Sequence, residues 1–143
     1  MKKILVTGGL GYIGSHTVVE LQAANYEVVV IDNLNNSKQS VENRIEEISG
    51  KSFELCIGDV NDSEMLKSLF IKHAFDGVIH FAAHKAVGES VENPILYYQN
   101  NISGLISVLS TMEKFKVSNL IFSSSCTVYG AAADLPVTEN TVI

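Results

Sequence analysis

Short runs of aliphatic and β-branched residues alternate along the chain with segments in which apolar residues return at helical spacing. Lys3 to Thr7 is the first run. Gly8-Gly9-Leu10-Gly11-Tyr12-Ile13-Gly14 follows it, and Ile13, Thr17, Val18, Leu21 and Ala24 then recur along one helix face. Glu27-Val28-Val29-Val30-Ile31 is a second run and ends at Asp32. Ser40 to Ser49 reads as a short helix and Phe53 to Ile57 as a third strand, with Gly58-Asp59-Val60 as the loop after it. Met65, Leu66, Leu69 and Phe70 form the stripe of the next helix, with Asp62 as its cap. Gly77 to Ala82 is a fourth strand. Ile102, Leu105, Ile106, Leu109 and Met112 mark a long helix, and Asn119 to Ser123 a fifth strand. After Gly130 the chain reads as loop, with Pro136 in it.

Near-continuous β-branched runs separated by helices predict an α/β fold: a Rossmann-type, doubly wound parallel sheet in three α/β/α layers. Leu120-Ile121-Phe122 is apolar on both faces, as expected of an interior strand. No further strand pattern follows it, so the sheet is expected to be truncated after about the fifth strand. Residues 1–143 are therefore expected to be an incomplete N-terminal domain of a longer protein.

Charge and composition narrow the function classes. The 143 residues carry 10 Lys+Arg against 16 Asp+Glu, a formal net charge of -6. No basic run is longer than Lys2-Lys3, which argues against nucleic acid and against an anionic membrane. A phosphate ligand stays open, because helix N-termini hold phosphate through backbone N–H groups. The longest uncharged stretch, Asn93 to Met112, is too polar for a bilayer span. Met1 to Gly8 is too short in apolar residues for a signal-peptide core. Cys56 and Cys126 form neither a disulfide framework nor a CxxC site, and the N-x-S triplets at Asn35, Asn61 and Asn101 are read as chance. A cytoplasmic protein is expected.

Gly8-x-x-Gly11-x-x-Gly14 overlaps Gly9-x-Gly11-x-x-Gly14, between a predicted strand and a predicted helix. Glycines there allow a tight turn and a close approach to a pyrophosphate. Asp32 lies 18 residues after Gly14, where an acid accepts hydrogen bonds from a ribose diol and repels a 2'-phosphate. The pattern favours NAD over NADP. The alternative is a structural turn with an ordinary capping Asp. Asp59 falls at the carboxyl edge of the sheet and could take an adenine amine, or only solvate a loop. The same edge collects Phe81, Ala82 and Lys85 after the fourth strand and Ser123 to Thr127 after the fifth. A serine hydroxyl there can hold a substrate oxygen but needs a stronger base beside it. Lys85 could meet a ribose or substrate oxygen, or be a surface lysine.

His16, His73, His80 and His84 lack metal-ligand spacing, and no metal is expected. His16 is read as a packing residue of the first helix, and Tyr97 and Tyr98 as packing residues. Cys126 adjoins the site without an activating partner.

The blocks Val6 to Thr17, Asp32 to Ser37, Val78 to Ala82, Lys85 to Ser90, Tyr97 to Asn101 and Phe122 to Gly130 resemble the N-terminal part of the UDP-glucose 4-epimerase family, within the extended short-chain dehydrogenase/reductases. The resemblance implies that Gly8, Gly11, Tyr12, Ile13 and Gly14 cover an NAD pyrophosphate. It places Asp32, Asn33, Asn36 and Ser37 at the adenosine end and Asp59 and Val60 beside adenine. Phe81, Ala82, Lys85, Asn100 and Ser123 would complete the cofactor pocket. Ser125 corresponds to the catalytic serine, and Lys85, Ser125 and Thr127 would meet the UDP-sugar substrate. The family interconverts UDP-glucose and UDP-galactose by NAD-dependent oxidation at sugar C4, rotation of the 4-keto intermediate and return of hydride.

The base of that family is a tyrosine in a Tyr-x-x-x-Lys helix. His16, Val30, Asn101, Ile102 and Ala133 stand four places after the five tyrosines, so the motif does not occur here. The tyrosine, its lysine and the substrate domain are expected beyond residue 143. The parent protein is expected to be a homodimer and the 143-residue piece inactive. Ala83-His84 departs from the Gly-Leu usual in the family. A related sugar-nucleotide epimerase, a 4,6-dehydratase, a non-catalytic NAD-binding protein and a plain structural α/β domain remain as alternatives. The dehydratase is disfavoured because Ser125-Cys126-Thr127-Val128 lacks the Asp-Glu pair that follows a Thr there.

Overall fold

The computed structural model describes residues 1–130 and 135–141, without the side chain of Cys126. Ala133 and Ile143, and part of the loop expected after Gly130, lie outside the described residues. Five strands, β1 (Lys3–Thr7), β2 (Glu27–Asp32), β3 (Glu54–Ile57), β4 (Gly77–His80) and β5 (Leu120–Phe122), form one parallel sheet in the order β3-β2-β1-β4-β5. The helices are α1 (Tyr12–Ala23), α2 (Ser40–Ser49), α3 (Ser63–Lys72), α4 (Val87–Glu92), α5 (Pro94–Tyr97) and α6 (Gly104–Lys114). A π-helical segment, Tyr98–Ser103, joins α5 to α6, and a 3-10 turn, Cys126–Tyr129, follows β5.

Successive strand residues point to opposite faces, so the sheet feeds two cores. Leu5, Val29, Ile31 and Val78 pack with Leu66 and Phe70 of α3 and Val108 and Met112 of α6. Val6, Val28 and Val30 pack with Val18 of α1 and Ile45 of α2. This gives the expected α/β/α layers. Asp62 caps α3 as expected, accepting hydrogen bonds from the Glu64 and Met65 amides.

Several boundaries and faces differ from the sequence expectation. β4 ends at His80, so Phe81 and Ala82 stand past its last residue, with both their amides still held by Thr7 of β1. The buried line of α1 is Gly14, Val18 and Gln22, while Ile13 and Ala24 are exposed. His16 is also exposed, with its ring edge against Tyr12 at 5.2 Å, so it does not pack the helix onto the sheet. On α6 the buried residues are Gly104, Val108, Thr111 and Met112, and the expected Ile106 and Leu109 face outward. Gly104 accompanies that choice of face: a Cβ there would lie 3.0 Å from Val60 Cγ2, so the helix start packs closely on the loop after β3 on its glycine side. Tyr98 is exposed and does not pack. Among the described residues β5 is an edge strand, with Ile121 and Phe122 open on it.

Candidate functional site

The carboxyl ends of the strands share one edge, and the chain order reverses there between β1 and β4. A switch point of this kind opens a crevice. The first corner of the crevice is Gly8, in the left-handed region at φ +67°. Its N–H donates to Ile31 O at 2.8 Å, and the Gly11 N–H donates back to Gly8 O at 3.1 Å, which folds the turn tightly onto the sheet. α1 starts immediately after it. No side chain caps α1 and no acidic residue stands in its first turn. Its leading N–H groups have no intrahelical partner.

Asp32 closes the β2 end of the crevice and is only 7% exposed. Its Oδ2 accepts from the Leu10 amide at 3.0 Å, and its Oδ1 accepts from the Leu34 amide at 2.9 Å and the Ser37 hydroxyl at 2.7 Å. The carboxylate thus ties the glycine loop to the loop after β2.

Asp59 is similarly engaged. Asn33 Nδ2 donates to it at 3.0 Å, and Asn61 donates through its amide at 2.8 Å and its side chain at 2.9 Å. Burial works to raise the Asp59 pKa. The Asn61 and Asn33 hydrogen bonds, with the charge of nearby His84, outweigh it and hold the carboxyl below its ordinary value.

These elements enclose one groove of ≈ 200 Å³. Gly8, Gly11 and Tyr12 come to it from the glycine corner, and Asp32, Asn33, Asn36 and Ser37 from the β2 end. Val60 comes from the loop after β3, Phe81 and Ala82 from the β4 end, and Asn100 from the π-helical segment. The remaining expected residues stand apart from its lining. Gly14 is buried behind the corner, Ile13 and Lys85 point to solvent, and Asp59 borders a neighbouring hollow with Asn61 and Gln99. Ser123, Ser125 and Thr127 lie beyond β5. The Ser123 amide donates to His80 O at 3.1 Å, and the Ser125 and Thr127 hydroxyls are hydrogen-bonded at 2.7 Å.

Ile31, Asn35, Gly58, Ala83 and His84 line the groove without having been singled out as cofactor residues. Asn35 sits inside the Asp32-to-Ser37 block, and Ala83-His84 is the departure from the resembled pattern. The Asn101 carboxamide pins His84, accepting from its amide at 2.8 Å and donating to its carbonyl at 3.0 Å. The His84 ring leans on Tyr97 at 5.5 Å. Tyr97 donates its single hydroxyl hydrogen within reach of Ala86 O and Glu89 Oε2, each at 2.8 Å. Desolvation, then the Glu89 carboxylate, push its pKa up, away from what a proton-accepting phenolate requires. Among the described residues no three His, Cys, Asp or Glu side chains stand close enough to hold a metal ion, and no helix is long and apolar enough to cross a membrane.

The sheet order and the glycine corner at its switch point define a Rossmann-type α/β domain. The chain belongs to the family whose model is described as GDP-mannose 4,6 dehydratase, which matches residues 5–143. Its resemblance to UDP-glucose 4-epimerases is close. It is 50% identical to the Bacillus subtilis UDP-glucose 4-epimerase over 137 residues, 96% of this chain and 40% of that protein. The crystal structure of UDP-glucose 4-epimerase from Bifidobacterium longum in complex with NAD+ and UDP superposes with a TM-score of 0.93 at 45% identity, covering 99% of this chain and 42% of that one. The Stenotrophomonas maltophila enzyme with bound NAD and formylated UDP-arabinopyranose gives a TM-score of 0.92 at 46% identity, over 99% and 42%. The chain thus spans about 40% of the length of the curated relatives it matches.

Proposed function

We propose that residues 1–143 are the cofactor-binding part of an NAD-dependent enzyme that inverts C4 of a UDP-hexose, interconverting UDP-glucose and UDP-galactose. The observation that carries this reading is the meeting of an uncapped helix start and a buried carboxylate at one groove. α3 of the same chain is capped by Asp62, whereas α1 is left open where the groove runs. That end suits a pyrophosphate. Asp32 suits ribose hydroxyls and disfavours a 2'-phosphate. Val60, Phe81 and Ala82 give flat apolar walls, and Asn100 a carboxamide, so the residues fit the dinucleotide.

NAD, which the glycine corner and Asp32 would hold in this groove, would supply the hydride chemistry at the sugar C4. Ser125 holds the sugar oxygen while its proton is moved, with Thr127 beside it, and Lys85, exposed here, reaches ribose or substrate. Tyr97 is unsuited as the base, so the reading assigns that role to a Tyr-x-x-x-Lys pair supplied with the substrate domain from outside these residues. The UDP-sugar is the partner molecule, the whole protein acts as a homodimer, and its setting is the cytoplasm.

Native mass spectrometry of the full-length protein, followed by a UDP-galactose assay, tests this. Retained NAD and formation of UDP-glucose are expected, with no turnover by the 143-residue chain alone. A full-length protein without nucleotide or turnover sinks the reading, and turnover by the short chain sinks the placement of the base.

The name of the matching family model favours a second reading, a sugar-nucleotide 4,6-dehydratase. Ser125-Cys126-Thr127-Val128 lacks the acidic pair that such chemistry uses, and a 4-keto-6-deoxy product in the same assay would decide for it.

A further inference from the structure

Beneath the groove lining lies a buried polar pair. Thr7 and His80 are register partners on the last rungs of β1 and β4, and both are buried. Thr7 Oγ1 lies 2.7 Å from His80 Nδ1 and accepts a hydrogen bond from the Ala82 amide at 3.3 Å. The amide can only donate, so the hydroxyl's own hydrogen is left to be satisfied. In a buried position an unused hydroxyl hydrogen carries the full desolvation penalty. Nδ1 is the acceptor within reach. The Thr7 hydroxyl therefore donates to it, and the imidazole proton sits on Nε2. Burial works in the same direction, holding the ring uncharged with a pKa down at about 4.

The same histidine reaches β5. Its carbonyl accepts from the Ser123 amide at 3.1 Å, and its ring stacks on Phe122 at 6.0 Å and 16°. On the groove side the Phe81 amide donates to Thr7 O at 3.0 Å. The Gly8–Ala82 approach is so close that a Cβ on Gly8 would lie 2.8 Å from the Ala82 nitrogen. A small shift of Ala82 would therefore change the floor of the groove.

We propose that His80 is a positioning residue: by accepting the Thr7 hydroxyl's hydrogen bond on Nδ1, its side chain fixes Ala82 against Gly8 on the cofactor side, while its backbone carbonyl holds the Ser123 amide just past β5, ahead of Ser125. This rests on the nucleotide reading above. His80 acts through its neighbours and touches neither nucleotide nor sugar.

The test uses the full-length protein. His80→Asn puts a carboxamide oxygen close to the place of Nδ1, while His80→Leu fills the space without an acceptor. Thr7→Ser and Thr7→Val make the same contrast from the other side. In NAD titrations the Leu and Val variants are expected to bind at least about tenfold more weakly, and the Asn and Ser variants within about threefold of wild type. The Val–Leu double variant should be no more than about twofold weaker than the worse single one, since Thr7→Val already removes the Thr7–His80 bond along with the acceptor of the Ala82 amide. A Leu variant that binds like wild type overturns the proposal, as does an Asn variant as weak as Leu. Nitrogen-15 spectra of the wild-type imidazole read the tautomer without any variant. A proton on Nε2 is expected, and a proton on Nδ1 overturns the proposal even if a variant does not fold. A wild-type protein that binds no NAD overturns the nucleotide reading alone. The tautomer and the rescue of thermal stability by Asn then decide the Thr7–His80 bond.

Discussion

Gly8 and Ala82 meet backbone to backbone, such that a Cβ on residue 8 would lie 2.8 Å from the Ala82 nitrogen and 2.9 Å from its Cα. Neither neighbour can move aside, because the Ala82 amide is held by Thr7. The φ of +67° at Gly8 adds a second obstacle to any side chain. Left-handed backbone costs an L-residue roughly 1–2 kcal/mol, and overpacking adds roughly 1–3. Gly8→Ala is therefore expected to lose about 2–5 kcal/mol in chemical denaturation and to abolish NAD binding. A variant with an unchanged denaturation midpoint would contradict this geometry.

Asp32 already accepts three hydrogen bonds, from Leu10, Leu34 and Ser37. A carboxylate offers about four acceptor positions, so a ribose diol needs one of these donors to yield. The two amides are fixed in the backbone, and the Ser37 hydroxyl can rotate. Ser37→Ala is expected to change NAD affinity by less than about threefold, while Asp32→Asn costs more than about tenfold. A large loss at Ser37 in calorimetric titration would mean that its hydroxyl contacts the nucleotide itself.

The path from Lys3 to Asp32 was readable because three local signals agree on it: a β-branched run, closely spaced glycines and an acid at the end of the next run. The packed faces of α1 and α6 were not. A periodicity count weighs apolar bulk, whereas Gly14 packs against the Gly8-Gly9 turn and Gly104 against Val60 in the loop after β3, and Ile13, Ile106 and Leu109 face outward. Gln22 shows the same limit. It is buried because its side-chain amide donates to Lys51 O at 3.3 Å and Ser52 O at 3.2 Å, partners almost thirty residues away. The candidate site divides likewise. Its glycines and Asp32 are local features of the chain. The Thr7–His80 pair and the Asn33–Asp59 bond exist only once distant strand ends are side by side.

Ile121 and Phe122 are 62% and 51% exposed on β5, an edge strand among the described residues. An apolar edge with free backbone groups recruits other strands. The 143-residue chain by itself is expected to self-associate with rising concentration, and Ile121→Lys to suppress this. Sedimentation velocity reads both. A monomer at every concentration tested rules out the edge as an adhesive surface.

Acid sensitivity should come first from His80. Its folded-state pKa is about 4 against an ordinary 6.5, because burial disfavours the charged ring. The unfolded imidazole therefore takes up its proton first as pH falls. Stability is full above the ordinary value, declines between it and the folded one, and levels off once both states are protonated. At about 1.4 kcal/mol per pH unit, the whole window amounts to roughly 3 kcal/mol. Glu54 and Asp59 respond later. Their lowered values, set at Glu54 chiefly by the Lys72 hydrogen bond, mean that their contributions are lost only below the ordinary 4.5 and 3.8. Solvent screening at Glu54 keeps its share small. Denaturation curves between about pH 7 and about pH 4.5 should therefore show wild type losing about 2–3 kcal/mol, and His80→Asn losing little. Equal losses in the two proteins would place the acid-sensitive group elsewhere.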